Sequence, residues 1–133
     1  MSFGKLTSNG VHLQQHEFKT VQVLLQNGYD VELLHGPAVS VKGLRTPDIM
    51  IGGIPWEIKA PEGAGQHTIK HNLQNAARQA ENVIIDLFRC KVPEYKAIKE
   101  IRYHFDLSKR IKRLKVITKD KIIIDLSKHK GVS

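Results

Sequence analysis

Residues 47–59, PDIMIGGIPWEIK, are where the fold can first be read. Two short apolar runs flank Gly52 and Gly53, and a two-residue glycine connection suits the tight turn of a β-hairpin, whose central residues take positive φ. Strand residues two apart point to the same side. Glu57 and Lys59 therefore share a face, and Trp56 and Ile58 are left to pack the other. Asp48 stands at the start of the first run. A strand whose apolar face is satisfied in this way has no packing reason to carry an acid and a base opposite. The plain alternative is a surface hairpin with a Glu/Lys ion pair.

Outward from the hairpin, the elements alternate. On its N-terminal side, Leu13, Phe18, Val21, Leu24 and Leu25 recur at helical spacing and predict a helix from about Leu13 to Asn27, with Gly28 as its stop. Glu17 lies one turn before Val21, which directs it along the inward stripe. YDVELL reads as a strand and GPAVSVKGLRT as a polar connection. On the C-terminal side PEGAGQ breaks the pattern, and HTIKHNLQNAARQAEN reads as a helix with Ile69, Leu73, Ala76, Ala77 and Ala80 on one side. VIIDLF is a buried strand expected to pair in parallel with the sheet after the helical crossover. A helix of mixed character over 93–113 follows. KVITKDKIIIDL then reads as two strands around a turn near Lys119 and Asp120. The order predicts a mixed α/β sheet flanked by helices.

The 133 residues suit a single domain, 1–133, with the motifs in 13–88 and a basic extension over 89–133. Hydrophobic residues make up 41% and charged residues 26%, as in an ordinary globular chain, and no tract approaches the roughly 18 apolar residues of a membrane span. MSFGKLTSNG lacks the apolar stretch and cleavage site of a signal peptide, so the expected site of action is cytoplasmic. The single cysteine, Cys90, excludes an internal disulfide and reads as a half-buried small hydrophobe. Lys and Arg number 21 against 13 Asp and Glu, a net charge of +8, which favours a polyanionic partner. The excess gathers in residues 89–130. There a basic helix from Lys96 to Lys115, with Tyr95 and Tyr103 interleaved, makes Arg102, Lys109, Arg110, Lys112 and Arg113 candidate nucleic-acid contacts. The same run also reads as a solvated helix face.

Phosphodiester cleavage accounts for the hairpin face. Two carboxylates hold an oxygen-liking divalent cation, Mg²⁺ or another, that positions water and neutralises phosphate charge. Lys59 supplies positive charge beside the phosphate and orients or deprotonates the attacking water. Glu17 contributes a third acid if the first helix packs on the hairpin. Trp56 is read as a core packer or a base-stacking platform. The glycines at 63 and 65 serve either a phosphate or a plain strand-to-helix turn.

Pro47-Asp48, Glu57-Ile58-Lys59 and the helical acid Glu17 together resemble the PD-(D/E)xK nuclease superfamily. That resemblance implies a restriction-endonuclease-like fold, Asp48 and Glu57 as metal ligands, Lys59 and Glu17 in catalysis, and Gln79 of AARQAE as a further site residue. The longer block TPDIMIGGIPWEIKAPEGAGQHTIKHNLQNAARQAENVIIDL looks like the C-terminal toxin nuclease domains of CdiA-type contact-dependent growth inhibition proteins and related polymorphic toxins. This implies RNA, tRNA above all, as substrate, an acidic immunity protein as partner, and a fragment of an exported toxin or a free-standing relative. It also brings a rival, a metal-free RNase of barnase, colicin or RelE fold. In that rival Lys59 stabilises the phosphate and His67, Thr68 or His71 handles protons, with His67 at a helix N-terminus that favours phosphate. His67 also reads as an ordinary helix N-terminal residue in a flexible loop. A repair or junction-resolving DNA nuclease and a noncatalytic nucleic-acid-binding module are the remaining alternatives.

Overall fold

The computed structural model of the chain describes residues 3–34 and 48–128. The predicted connection 36–46 and Pro47 lie outside them. The described residues form a mixed α/β arrangement of seven strands and three helices, and the chain divides into two compact units, 1–58 and 59–133.

In the first unit β1 (Leu6–Thr7) leads through α1 (Gln15–Gln26) to β2 (Val31–Leu33), followed by β3 (Ile49–Ile51) and β4 (Ile54–Lys59), whose last residue opens the second unit. The two-residue β1 had no counterpart in the sequence reading. It runs parallel to β2, Leu6 opposite Val31, with α1 as the crossover. From there the pairing is antiparallel, Val31 opposite Ile51 and Ile51 opposite Ile54. The stripe that α1 buries consists of Thr20, Val21, Val23 and Leu24. Phe18, predicted on that stripe, is 53% exposed. The predicted hairpin is present, with φ of +57° at Gly52 and +80° at Gly53, values at which a side chain is strained.

The second unit holds α2 (Thr68–Ala77), β5 (Asn82–Asp86), α3 (Glu94–Leu107), β6 (Arg113–Ile117) and β7 (Ile123–Ser127). The parallel partner of β5 is β6, reached through α3, with Ile84 opposite Lys115. β7 returns antiparallel, with Asp125 opposite Lys115. Alternation sends Val83, Ile85, Leu114 and Val116 to one side of this sheet. There they pack with Ile69, Leu73 and Ala76 of α2 and with Ala97, Ile101 and Phe105 of α3, the last three spaced four apart so that they form one helical stripe. Cys90 is fully enclosed in the same core, deeper than the half-buried position expected of it.

The basic run is not one helix to Arg113. α3 stops at Leu107, because the Ser108 hydroxyl accepts the N–H groups of Arg110 (3.3 Å) and Ile111 (3.1 Å) and turns the chain so that Ile111 is buried. The Lys128 ammonium donates to the carbonyls of Phe105 and Ser108, filling acceptors that a helix end leaves open. Burial there holds the Lys128 amine below its ordinary pKa, with Asp106 pulling the other way. On α3 itself, burial and then the Lys70 charge lower the pKa of His104, against an opposite pull from Glu100.

Two outcomes are expected. Gly53→Val should cost about 1–2 kcal/mol in urea unfolding, whereas Gly53→Asn, which tolerates positive φ, should cost less. Because the unfolded chain binds the His104 proton more readily than the folded one, stability should fall as pH drops through and below about 6.5. Urea midpoints at pH 7.5 and 5.5 should therefore differ more for wild type than for His104→Gln.

Candidate active site

The site residues on the hairpin are brought together by main-chain geometry. Asp48 lies one residue before β3, and its N–H reaches the carbonyl of Trp56 at 3.1 Å, although Trp56 already faces Ile49 in the register. Two consecutive residues set against one is the arrangement of a β-bulge, which re-aims a side chain. Here the Asp48 Oδ2 accepts the N–H of Ile58 at 2.8 Å, so the carboxylate is tied to the point of β4 between Glu57 and Lys59. Trp56 is 5% exposed, a core residue rather than a stacking platform. Glu57, expected on a face apart from the core, is itself only 6% exposed. Lys59 is half-buried at the end of β4, on the same side of the strand as Glu57 by alternation.

The other candidates are placed differently. Glu17 is half-buried and its carboxylate accepts the N–H of Gln14 at 3.2 Å, the capping contact of the first turn of α1. Gln79, predicted on the helix, lies in the turn beyond it. α2 ends at Ala77, and Gln79 donates its N–H to the carbonyl of Ala76 at 2.9 Å. Its side-chain Oε1 is buried and has no hydrogen-bond partner. His67 and His71 are exposed, one turn apart at the start of α2, with ring centroids 5.8 Å apart. The Thr68 hydroxyl lies over the preceding loop, where a Cβ at Gly63 would come within 2.7 Å of it. This accounts for that glycine by packing. The exposed Glu62 pairs with Arg89 across the same loop.

Among the basic candidates, Arg102 pairs with Asp106 one turn on, at 3.5 Å, and Arg113 donates to the Asn82 side chain at 3.3 Å. Lys109, Arg110 and Lys112 are exposed on the segment between α3 and β6. Asp86, which ends β5 at 2% exposure, is a buried acid outside the set expected from sequence. Its signal was an acid closing an otherwise apolar run. Lys115, also buried, meets Asp125 across the strands at 2.5 Å. Among the described residues no three His, Cys, Asp or Glu side chains converge as a metal-ligating group. Charge is divided sharply along the chain, with 4 Lys and Arg against 5 Asp and Glu up to Ile58, and 17 against 8 from Lys59 on.

No helix among the described residues is long and apolar enough to cross a membrane. A search of curated proteins gave no match. The toxin and immunity complex CdiA-CT/CdiI from Burkholderia pseudomallei contains a chain of similar fold, with a TM-score of 0.69 and 18% identity over 93% of this chain and 99% of that one. The family model described as the contact-dependent growth inhibition CdiA C-terminal domain matches residues 45–123. That span includes the hairpin, both helices of the second unit and the buried strands β5 and β6, and the chain belongs to this family.

Proposed function

We propose that the chain is a toxin nuclease of PD-(D/E)xK type, cutting RNA, with tRNA as its first substrate class, and dependent on a divalent cation. The observation that carries this reading is the Asp48 carboxylate anchored to the Ile58 N–H, which places one acid beside the strand that presents Glu57 and Lys59. Asp48 and Glu57 would hold the cation. Two carboxylates are too few to cage a metal alone and are what Mg²⁺ uses when water and phosphate complete its shell. When bound, the cation supplies charge against the phosphate and orients water. The hydrogen bond from Ile58 uses one Asp48 oxygen and sets the direction of the other. Lys59 supplies positive charge toward the scissile phosphate or takes a proton from the attacking water. Glu17 supports from α1 while it caps that helix.

The cationic second unit supplies attraction for a polyanion. It also suits an acidic immunity protein, by analogy with the toxin and immunity complex of similar fold. The family assignment suits a domain delivered as part of an exported toxin. A metal-free RNase using Lys59 with His67 or His71 is favoured only by the exposed pairing of the two imidazoles.

Asp48→Asn keeps an oxygen for the Ile58 N–H, whereas Asp48→Ala strands that donor and should cost about 1–3 kcal/mol of stability. The asparagine variant therefore isolates chemistry from folding. Wild type with tRNA should cleave in Mg²⁺ and not in EDTA, and Asp48→Asn and Lys59→Ala should each lose roughly 10²–10³-fold in rate. Cleavage persisting in EDTA with cyclic phosphate ends would favour the metal-free mechanism. Cleavage confined to plasmid or branched DNA would favour the repair class, and binding without cleavage of any substrate would favour the noncatalytic module.

A further inference from the structure

Between α2 and α3 runs a groove of about 390 Å³, within the size range of small-ligand sites. The apolar side chains of Leu73, Ala77 and Leu107 line it. Lys70 and Gln74 of α2 stand on one side, and Tyr103 and His104 of α3 on the other. Tyr103 is 60% exposed and Leu107, one turn on, is 62% exposed, although both belong to a helix with a well-filled inner stripe. The Tyr103 ring meets the His104 ring edge-on, with centroids 5.1 Å apart and planes at 80°. Past the end of the groove Ser108 leads directly into the exposed Lys109 and Arg110.

We propose that the α2–α3 groove is a binding site for an unpaired nucleotide of single-stranded RNA, its base stacked on Tyr103 and its phosphates met by Lys70, Lys109 and Arg110. An exposed aromatic beside cations is the pairing that single-strand binders use, because every base offers a π-face and every phosphate a charge. The apolar lining suits the flat face of a base. The alternative occupant, an acidic immunity protein, would also meet the cations of a unit that carries 17 Lys and Arg against 8 Asp and Glu, but a groove of about 390 Å³ with an exposed aromatic on its wall matches a single base rather than a protein face. The inference rests on the proposed RNA-directed function for its choice of polyanion. It assigns the groove a hold on substrate apart from the bond being cut.

The test is fluorescence anisotropy of labelled hexaadenylate RNA in EDTA, where binding is read without metal-dependent cleavage. Tyr103→Ala should weaken binding roughly 5- to 150-fold, the equivalent of one lost stacking contact, and Tyr103→Phe should restore it. Lys70→Ala should lower the slope of log affinity against log salt by about 0.7. Far-UV circular dichroism checks that each variant is folded. Unchanged binding by folded Tyr103→Ala, or equal wild-type affinity for an abasic oligonucleotide, would overturn the proposal and return this face to a protein partner. A parallel cleavage assay separates it from the proposed activity. Tyr103-dependent binding by a chain that cuts nothing supports the groove and removes the nuclease reading. Cleavage by a chain whose RNA binding ignores Tyr103 does the reverse.

Discussion

The two-residue turn at Gly52 and Gly53 is the constraint on which the candidate site depends. With both residues at positive φ, the hairpin closes with Ile51 opposite Ile54 and Ile49 opposite Trp56, and only in that register does the Asp48 carboxylate reach the Ile58 N–H. A slip of one residue would send Trp56, now buried, outward and reverse the faces carrying Glu57 and Lys59. Packing of Ile49 and Trp56 therefore holds the polar residues in place.

Charge and fold are divided between different lengths of chain. The first unit brings Asp48, Glu57 and Glu17 and is close to neutral. The second carries the whole positive excess. Part of that excess is not surface at all, since Lys115 is buried against Asp125 and Lys128 closes the end of α3. Arg102 and Arg113 are already engaged with Asp106 and Asn82. What remains for a polyanion is narrower than the composition suggests. It includes the exposed Lys70, Lys109, Arg110 and Lys112, beside the groove that ends at Ser108.

The hairpin was legible because its signal is local, two glycines between apolar runs. The inner face of α2 was legible because Ile69, Leu73 and Ala76 keep helical spacing, whereas α3 was expected only as a helix of mixed character, without its stripe of Ala97, Ile101 and Phe105. The end of α3 was not legible, since KRIKRLK continues a helical composition and the stop comes from the Ser108 hydroxyl and from Lys128, twenty residues further on. Gln79 was misplaced for a related reason. AARQAE favours helix, but Ala80 turns into the core and Asn82 begins β5, leaving no room for another turn. Glu17 lay where the stripe placed it, half-buried one turn before Val21, and sequence alone did not show that its carboxylate caps α1. Asp86 was hidden by its apolar neighbours, which mark a strand without marking the one acid in it.

The most direct test of the central claim is calorimetric titration of Mn²⁺ into the wild-type chain and into Glu57→Gln, without nucleic acid. The account predicts about one cation per chain for wild type, with affinity lower by roughly tenfold or more in the folded variant, as expected for the loss of a ligand. Binding of equal strength in both, or none to wild type, would contradict a metal held by Asp48 and Glu57.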